Sequence, residues 1–290
     1  MIPASFEYLR PKTLPEAIGL LQQYGDDAKI LSGGQSLIPM MKLRLARPGY
    51  LVDINRIAGL SHIKEEGGYL KIGGLTREAD LEASPVVRSK YPIIIDTAHV
   101  IADPQVRNLA TVGGNLAHGD PANDHPATMV ALGAQVVATG SKGERIIPIE
   151  DFFLTLFSTA LQHDEILTEI RIPIPPPHSG GAYFKLERKV GDFATAAVAV
   201  QLTLDDKGAC QKVGIGLTNV GPTPVKARKA EDFLRGKKLD EANMKQAAQL
   251  AADESDPSAD LRGPVEYKKG LVKELAKRAL TRALQRAGKQ

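Results

Sequence analysis

The sequence predicts an α+β protein of more than one domain, and three observations carry that prediction. Short apolar strand patterns alternate with short helical ones through the first half of the chain. A segment rich in proline and glycine, PPPHSGG at 175–181, then reads as a linker. Beyond it, three alternating strand patterns precede three amphipathic helical ones. With 290 residues and 43% hydrophobic content, the chain is long enough to bury more than one core.

The first helix has clear punctuation. In TLPEAIGLLQQYG, Thr13 and Glu16 match a capping box, Ala17, Ile18, Leu21 and Tyr24 share a face, and Gly25 suits the stop. The strand AKIL then breaks into SGGQS and LIPMMKLRLARP; YLVDI and YLKIGG read as further strands, with 55–68 a polar connection between them. Residues 76–102 turn helical, with Pro92 near the start of an apolar run that Pro104 ends. ATMVALGA reads as a helix, AQVVATG as a strand, and EILTEIRIPIPPP as an exposed edge strand ended by prolines. After the linker, AYFKLERK, ATAAVAVQLTLD and CQKVGIGLTN predict an antiparallel meander, with DDKG the turn between the last two. The helices TPVKARKAEDFLRG, DEANMKQAAQLAADE and 263–288 complete the chain. The last sets Val265, Leu271, Val272, Leu275, Ala279, Leu280 and Leu284 to one side; Glu266, Glu274 and interspersed alanines mark its basic side as a solvated face rather than a membrane surface.

Composition excludes several functions. A net charge of +3 with no long block of one sign gives no electrostatic footprint for nucleic acid. No apolar run reaches the length of a bilayer span, and MIPASFEYLR lacks a secretion-signal pattern, so a cytoplasmic protein is expected. The single cysteine, Cys210, supplies neither an internal disulfide nor the thiolates of an iron–sulfur or structural zinc site, and it reads as a small strand residue.

Two stretches repeat one arrangement, a glycine pair before a side-chain amide: Ser32-Gly33-Gly34-Gln35-Ser36 and Thr111-Val112-Gly113-Gly114-Asn115. Glycines reach positive φ and allow close approach, so successive N–H groups converge on an anion such as phosphate; two cradles suggest a diphosphate. The bland alternative is a pair of turns, since adjacent glycines also occur at 67–68, 73–74 and 180–181. No P-loop and no Rossmann glycine pattern is present. His118, Asp120, Asp124 and His125 raise the question of a metal, but Pro121 and Pro126 break the segment and no helix gathers the histidines on one face, so no metal site is expected. Asp124 reads instead as a helix cap or a partner for a sugar hydroxyl.

The stretches SGGQSLIPMMKLRLARPGYLVDI, IADPQVRNLATVGGNLAHGDPANDHPA and FKLERKVGDFATAAVAV together resemble the FAD-binding medium subunits of the molybdenum hydroxylase (xanthine dehydrogenase) family, in the branch found in aerobic carbon monoxide dehydrogenases. The likeness runs from near Phe6 to the final helix. It implies a vanillyl-alcohol-oxidase-type FAD-binding fold of two small subdomains, 1–57 and 58–176, then a C-terminal flavoprotein domain, 177–290, with a three-stranded antiparallel sheet and helices. It also implies that Ser32, Gly33, Gly34, Gln35 and Ser36, with Thr111, Gly113, Gly114 and Asn115, grip the diphosphate of a non-covalent FAD. Asp124 would meet ribityl or ribose hydroxyls, Ile166 and Leu167 would lie by the adenine, and Lys185 would approach the flavin, where a cation tunes the potential of a ring that becomes negative on reduction. Relatives usually carry histidine where Gln35 stands and a flavin-shielding tyrosine where Phe193 stands; the lost hydroxyl bears on the electron acceptor. Phe193 read from its own surroundings is equally an ordinary core aromatic.

By the same resemblance, the chain is an FAD-dependent oxidoreductase subunit with no catalytic residues of its own. Its partners would be a small subunit with two [2Fe–2S] clusters and a large subunit with a molybdenum cofactor, in a dimer of heterotrimers. Electrons from the clusters would pass through FAD to an external acceptor. A stand-alone flavin oxidase or dehydrogenase, and a module that has lost FAD, stay open as alternatives. The substrate, whether carbon monoxide, an aldehyde or an N-heteroaromatic compound, is not written in this chain.

Overall fold

Three larger sheets, one for each stretch of chain, and one two-stranded pair organise the described residues. The computed structural model describes residues 1–288, so the last two residues of the expected 177–290 unit lie outside it. In the first stretch, β1 (Glu7–Leu9), α1 (Leu14–Tyr24), β2 (Ala28–Leu31), α2 (Leu37–Lys42) and β3 (Tyr50–Asp53) form a small parallel sheet in the order β1-β3-β2. Helix α1 starts where Thr13 Oγ1 accepts from Glu16 N at 3.3 Å, a cap contributing about 1 kcal/mol. The Glu16 carboxylate accepts from Lys12 N at 2.7 Å, one residue earlier than a capping box requires. Ala17, Ile18 and Leu21 then bury against Ala28 and Val52.

The middle stretch holds β4 (Ile63–Glu66), β5 (Tyr69–Gly73), α3 (Glu78–Ala83), α4 (Pro85–Lys90), α5 (Pro92–His99), α6 (Pro104–Arg107), α7 (Val112–Ala117), α8 (Asp124–Leu132), β6 (Gln135–Gly140), β7 (Gly143–Pro148), the short pair β8 (Phe153–Thr155) and β9 (Ser158–Thr159), and β10 (Ile166–Pro173). Its antiparallel sheet runs β4-β5-β10-β6-β7. Three expectations are corrected here. The 55–68 connection contains a strand, β4, whose charged sequence IKEE hid it. The helical stretch at 76–102 is three helices, because Ser84 and Tyr91 each precede a proline and leave the helical region. Strand β10 lies at the centre of its sheet, not the edge: Pro173 ends the ladder opposite Tyr69, so the prolines beyond it remove no donor from the strand interior.

In the last stretch β11 (Ser179–Leu186), β12 (Ala196–Leu204) and β13 (Cys210–Thr218) form the expected meander, extended by the two-residue β14 (Val225–Lys226) and followed by α9 (Arg228–Leu234), α10 (Glu241–Glu254) and α11 (Val265–Ala287). The run ATAAVAV has almost no polar position because β12 is covered on both faces. Val198, Val200 and Leu202 pack toward α10 and α11, and Ala197 and Ala199 pack toward the middle stretch. Glycines set the closeness of both contacts. A Cβ at Gly214 or Gly216 would lie 2.1 or 2.0 Å from the backbone oxygens of Ala131 or Ala127 in α8, and one at Gly180 would lie 2.1 Å from Ala283 O in α11. The 180–181 glycines therefore belong to β11, and the linker is shorter than 175–181. On α11 the expected face is shifted: Val265, Leu271 and Leu284 are only half-buried, whereas Ala276, Ala283 and Ala287 bury fully against the sheet. Cys210 is fully buried in its strand, and desolvation pushes its thiol up to about 11, which makes it unreactive at neutral pH.

Candidate functional site

A cleft of about 700 Å³, of the size that takes a cofactor, opens between the three parts. Every residue singled out for FAD in the sequence lines it: Ser32, Gly33, Gly34, Gln35 and Ser36; Thr111, Gly113, Gly114 and Asn115; Asp124, Ile166, Leu167, Lys185 and Phe193. They come from loops and strands as far apart in sequence as β2 and β11, so one space has gathered them.

The first wall is the turn from β2 into α2. Among the described residues, nothing accepts from the N–H groups of Gly33, Gly34, Gln35, Ser36 and Leu37, and Gly34 takes φ +73 to turn the chain. A run of free amides at a cleft wall is a nest for an anion. The second wall differs from the expected matching cradle. Val112 N donates to Thr76 O, Gly113 N to Gly74 O, Gly114 N to Thr111 Oγ1 and Asn115 N to Thr111 O, all within 3.1 Å. Its amides are occupied, so what it offers is side chains. Asn115 Oδ1 is buried without a partner, an orphan that a ligand hydroxyl would satisfy. Three of the four glycines serve close approach rather than positive φ. A Cβ at Gly33 would lie 2.3 Å from Leu109 O, one at Gly113 2.5 Å from Gly74 O, and one at Gly114 2.7 Å from Thr111 Oγ1. The two loops also touch through Ser32 Oγ and Thr111 Oγ1, 2.8 Å apart.

Behind the cleft lies a buried charge cluster. Asp124 Oδ1 accepts from Tyr183 Oη at 2.6 Å and Oδ2 from Lys185 Nζ at 3.0 Å, and Lys185 also donates to Val100 O at 2.9 Å. Burial pushes the Asp124 carboxyl up, with the Lys185 charge and the Tyr183 hydroxyl opposing it; burial and Asp124 together drive the Tyr183 phenol well above its ordinary range. The cap of α8 falls to Asn123, not Asp124. His125 does not face the cleft: its Nε2 lies 2.7 Å from Glu78 Oε2, both side chains fully buried. Burial is the largest influence and would lower His125, but Glu78 and Asp124 together outweigh it and the imidazole is raised. His118 does line the cleft, tilted against Phe157 at 5.1 Å between ring centres, with its imidazole lowered by burial. Among the described residues no group of three or more His, Cys, Asp or Glu is placed to hold a metal ion. No helix there is long and apolar enough to cross a membrane.

Phe193 is 49% exposed at the cleft, so it is not a core aromatic. It follows Asp192, whose carboxylate accepts from Phe193 N at 2.8 Å, Arg188 Nε at 3.0 Å and Arg262 Nη2 at 3.3 Å. Sequence reasoning missed Gly74, which lines the cleft and lies sandwiched between Leu167 O and Gly113. Its pairing with Gly73 was the visible signal, and nothing local separated it from an ordinary turn.

These features fit a ligand with a dianionic bridge and hydroxylated arms, and the comparisons with known proteins agree. Residues 4–175 match the model of the FAD binding domain in molybdopterin dehydrogenase, and residues 181–283 match the CO dehydrogenase flavoprotein C-terminal domain. The chain belongs to this family of FAD-binding flavoprotein subunits; it is an oxidoreductase subunit whose cofactor is FAD. It is 47% identical to the carbon monoxide dehydrogenase medium chain of Afipia carboxidovorans over 99% of both chains. Its fold superposes on that of the reconstituted CO dehydrogenase from Oligotropha carboxidovorans with a TM-score of 0.96, at 47% identity over 99% of this chain and 100% of the other. The quinoline 2-oxidoreductase of Pseudomonas putida 86 follows with a TM-score of 0.92 and 33% identity, over 98% and 99%.

Proposed function

We propose that this chain is the flavin subunit of a molybdenum hydroxylase complex of the carbon monoxide dehydrogenase type. It would assemble with a small subunit carrying [2Fe–2S] clusters and a large subunit carrying the molybdenum cofactor, as a dimer of heterotrimers, with 1–57, 58–176 and 177–290 as its own structural units. Bound FAD, which takes electrons singly and delivers them singly or in pairs, supplies the junction between those clusters and an external acceptor. The observation that carries the reading is the cleft itself, with free amides at 33–37 on one side and the Lys185–Asp124 pair on the other.

Each residue has a task in this reading. The amides of the first loop neutralise the diphosphate; Ser32, Gln35, Thr111 and Asn115 direct hydrogen bonds at its oxygens and the adjoining sugar. Gly33, Gly113 and Gly114 keep the loops in close approach, and Gly34 turns the chain. Asp124 orients Lys185 at the flavin end while meeting a hydroxyl of the ribityl or ribose. Ile166 and Leu167 give the adenine an apolar seat, and Phe193 covers one face of the ring. No group here needs to act as acid or base, because the substrate is oxidised on a partner.

The test is composition. The complex purified through this chain should contain about one flavin per chain, released into the supernatant by acid, together with iron and molybdenum. Flavin without either metal would favour a stand-alone flavin enzyme, and absence of flavin would remove the reading. The 33% identity to a quinoline oxidoreductase keeps an N-heteroaromatic or aldehyde substrate as the second reading. Turnover of carbon monoxide against those compounds by the purified complex separates them.

A further inference from the structure

We infer that Arg77 and Asn55, which lie outside both glycine loops, are positioning residues that clamp those loops at the separation FAD requires. The inference rests on the cradle reading above. Arg77 Nη1 donates to Leu109 O, the carbonyl on which Gly33 sits with no room for a Cβ. Arg77 Nη2 donates to Asn55 Oδ1 at 2.6 Å. Asn55 in turn donates from Nδ2 to Ser32 O at 2.9 Å, on the first loop, and to Asp53 Oδ1 at 2.7 Å. One guanidinium and one amide thus span from the entry of the second loop to the backbone of the first.

The geometry assigns each a distinct grip. Arg77 also pairs through its backbone with Thr111, so its head and its main chain hold the second loop at two points. Asn55 is held in turn, since its own N–H donates to Asp53 Oδ1 at 2.9 Å. A planar fork is needed because two acceptors in different directions, Leu109 O and Asn55 Oδ1, are met at once; a lysine reaches one point only. Without the clamp, the hydrogen bond left between the loops, among the described residues, is the Ser32–Thr111 hydroxyl contact.

The experiment uses the full-length chain, co-purified with the subunits it assembles with and stripped of flavin. Asn55→Ala, Arg77→Met and the double variant are titrated with FAD, alongside thermal unfolding of the flavin-free protein and amide exchange over 32–36 and 109–115. Each single variant should weaken FAD by about tenfold or more. The double variant should be little worse than either, because both cut the same strut. Exchange in both loops should rise while the flavin-free unfolding temperature changes little, and Arg77→Lys should recover part of the affinity. Affinities within roughly twofold of wild type would overturn the clamp while leaving the cradle standing. A loss of affinity that follows only a general loss of stability would overturn it too. A wild-type protein that binds no FAD would overturn the cradle and the clamp together.

Discussion

Replacing Gly33 with alanine tests whether the glycine loops work by close approach. The added Cβ would lie 2.3 Å from Leu109 O and 2.8 Å from Ala110 Cα, both backbone atoms. Ordinary contact needs a separation wider by about 1 Å. Leu109 O has little freedom to yield, because Arg77 donates to it, so the first loop must move and the Ser32–Thr111 hydroxyl contact at 2.8 Å must stretch. Overpacking of this kind costs about 1–3 kcal/mol. If the cost falls on the bound geometry, FAD weakens by roughly 5- to 150-fold, at a factor of ten per 1.4 kcal/mol. Quenching of flavin fluorescence in a titration of the stripped protein reads the change, with thermal unfolding as the fold control. An affinity within about twofold of wild type, in a protein that melts normally, would refute the reasoning.

Gly114→Val should also weaken FAD strongly, because the branched side chain would displace Thr111 Oγ1, 2.7 Å from the Cβ position, and strip Gly114 N of its acceptor; unchanged flavin content in folded protein would count against the second loop. Glu78→Gln leaves His125 buried without its countercharge and should destabilise the protein by about 3–5 kcal/mol. His125 is raised above 6.5 in the folded protein, so the pair's contribution is full below that value and is lost as pH climbs through the folded value. Wild-type melting temperatures should therefore fall as pH rises above about 6.5, with a slope that Glu78→Gln removes, and parallel curves would contradict the pairing. Phe193→Ala should keep FAD bound and speed reoxidation of the reduced protein by dioxygen or artificial acceptors in stopped flow; identical rates and spectra would mean that Phe193 does not cover the ring.

The local signals of the chain were legible because they depend on neighbours in sequence. Thr13 capping α1, the turn at 205–208 and the meander from β11 to β13 all follow from residues a few places apart. The two loops at the cleft were visible as one repeated glycine–amide arrangement, whereas Ile166, Leu167, Lys185 and Phe193 were reached only through the family resemblance. What stayed hidden is set by tertiary partners. Strand β4 carries charges because one of its faces meets solvent, β10 is central because β5 and β6 flank it, and Lys268 is buried because Asp260 and Ser258 O receive its ammonium. Two of the four occupied amides of the second loop, on Val112 and Gly113, depend on Thr76 and Gly74, some forty residues upstream, and no spacing within TVGGN reveals those partners. The same holds for Arg77 and Asn55, whose partners are backbone carbonyls of distant loops.

On the proposed reading, the buried cluster lets the chain bind a redox cofactor without acting as an acid or base itself. Lys185 and Tyr183 stand on β11, while Asp124 opens α8, so the network crosses from the last stretch to the middle one. That crossing is rigid, because the backbone of α8 rests directly on Gly214 and Gly216 of β13. In the proposed reading, Lys185, fixed by Asp124, Glu187 and Val100 O, would present its ammonium to the cleft without rearrangement, the preorganisation that favours a negative ring on reduction. The Asp124 carboxylate has both oxygens engaged by donors. His125 is tied to Glu78 outside the cleft. In the proposed reading, Lys185, held between Asp124 and Glu187, serves to stabilise charge on the bound group, and the bond-breaking chemistry falls to a partner.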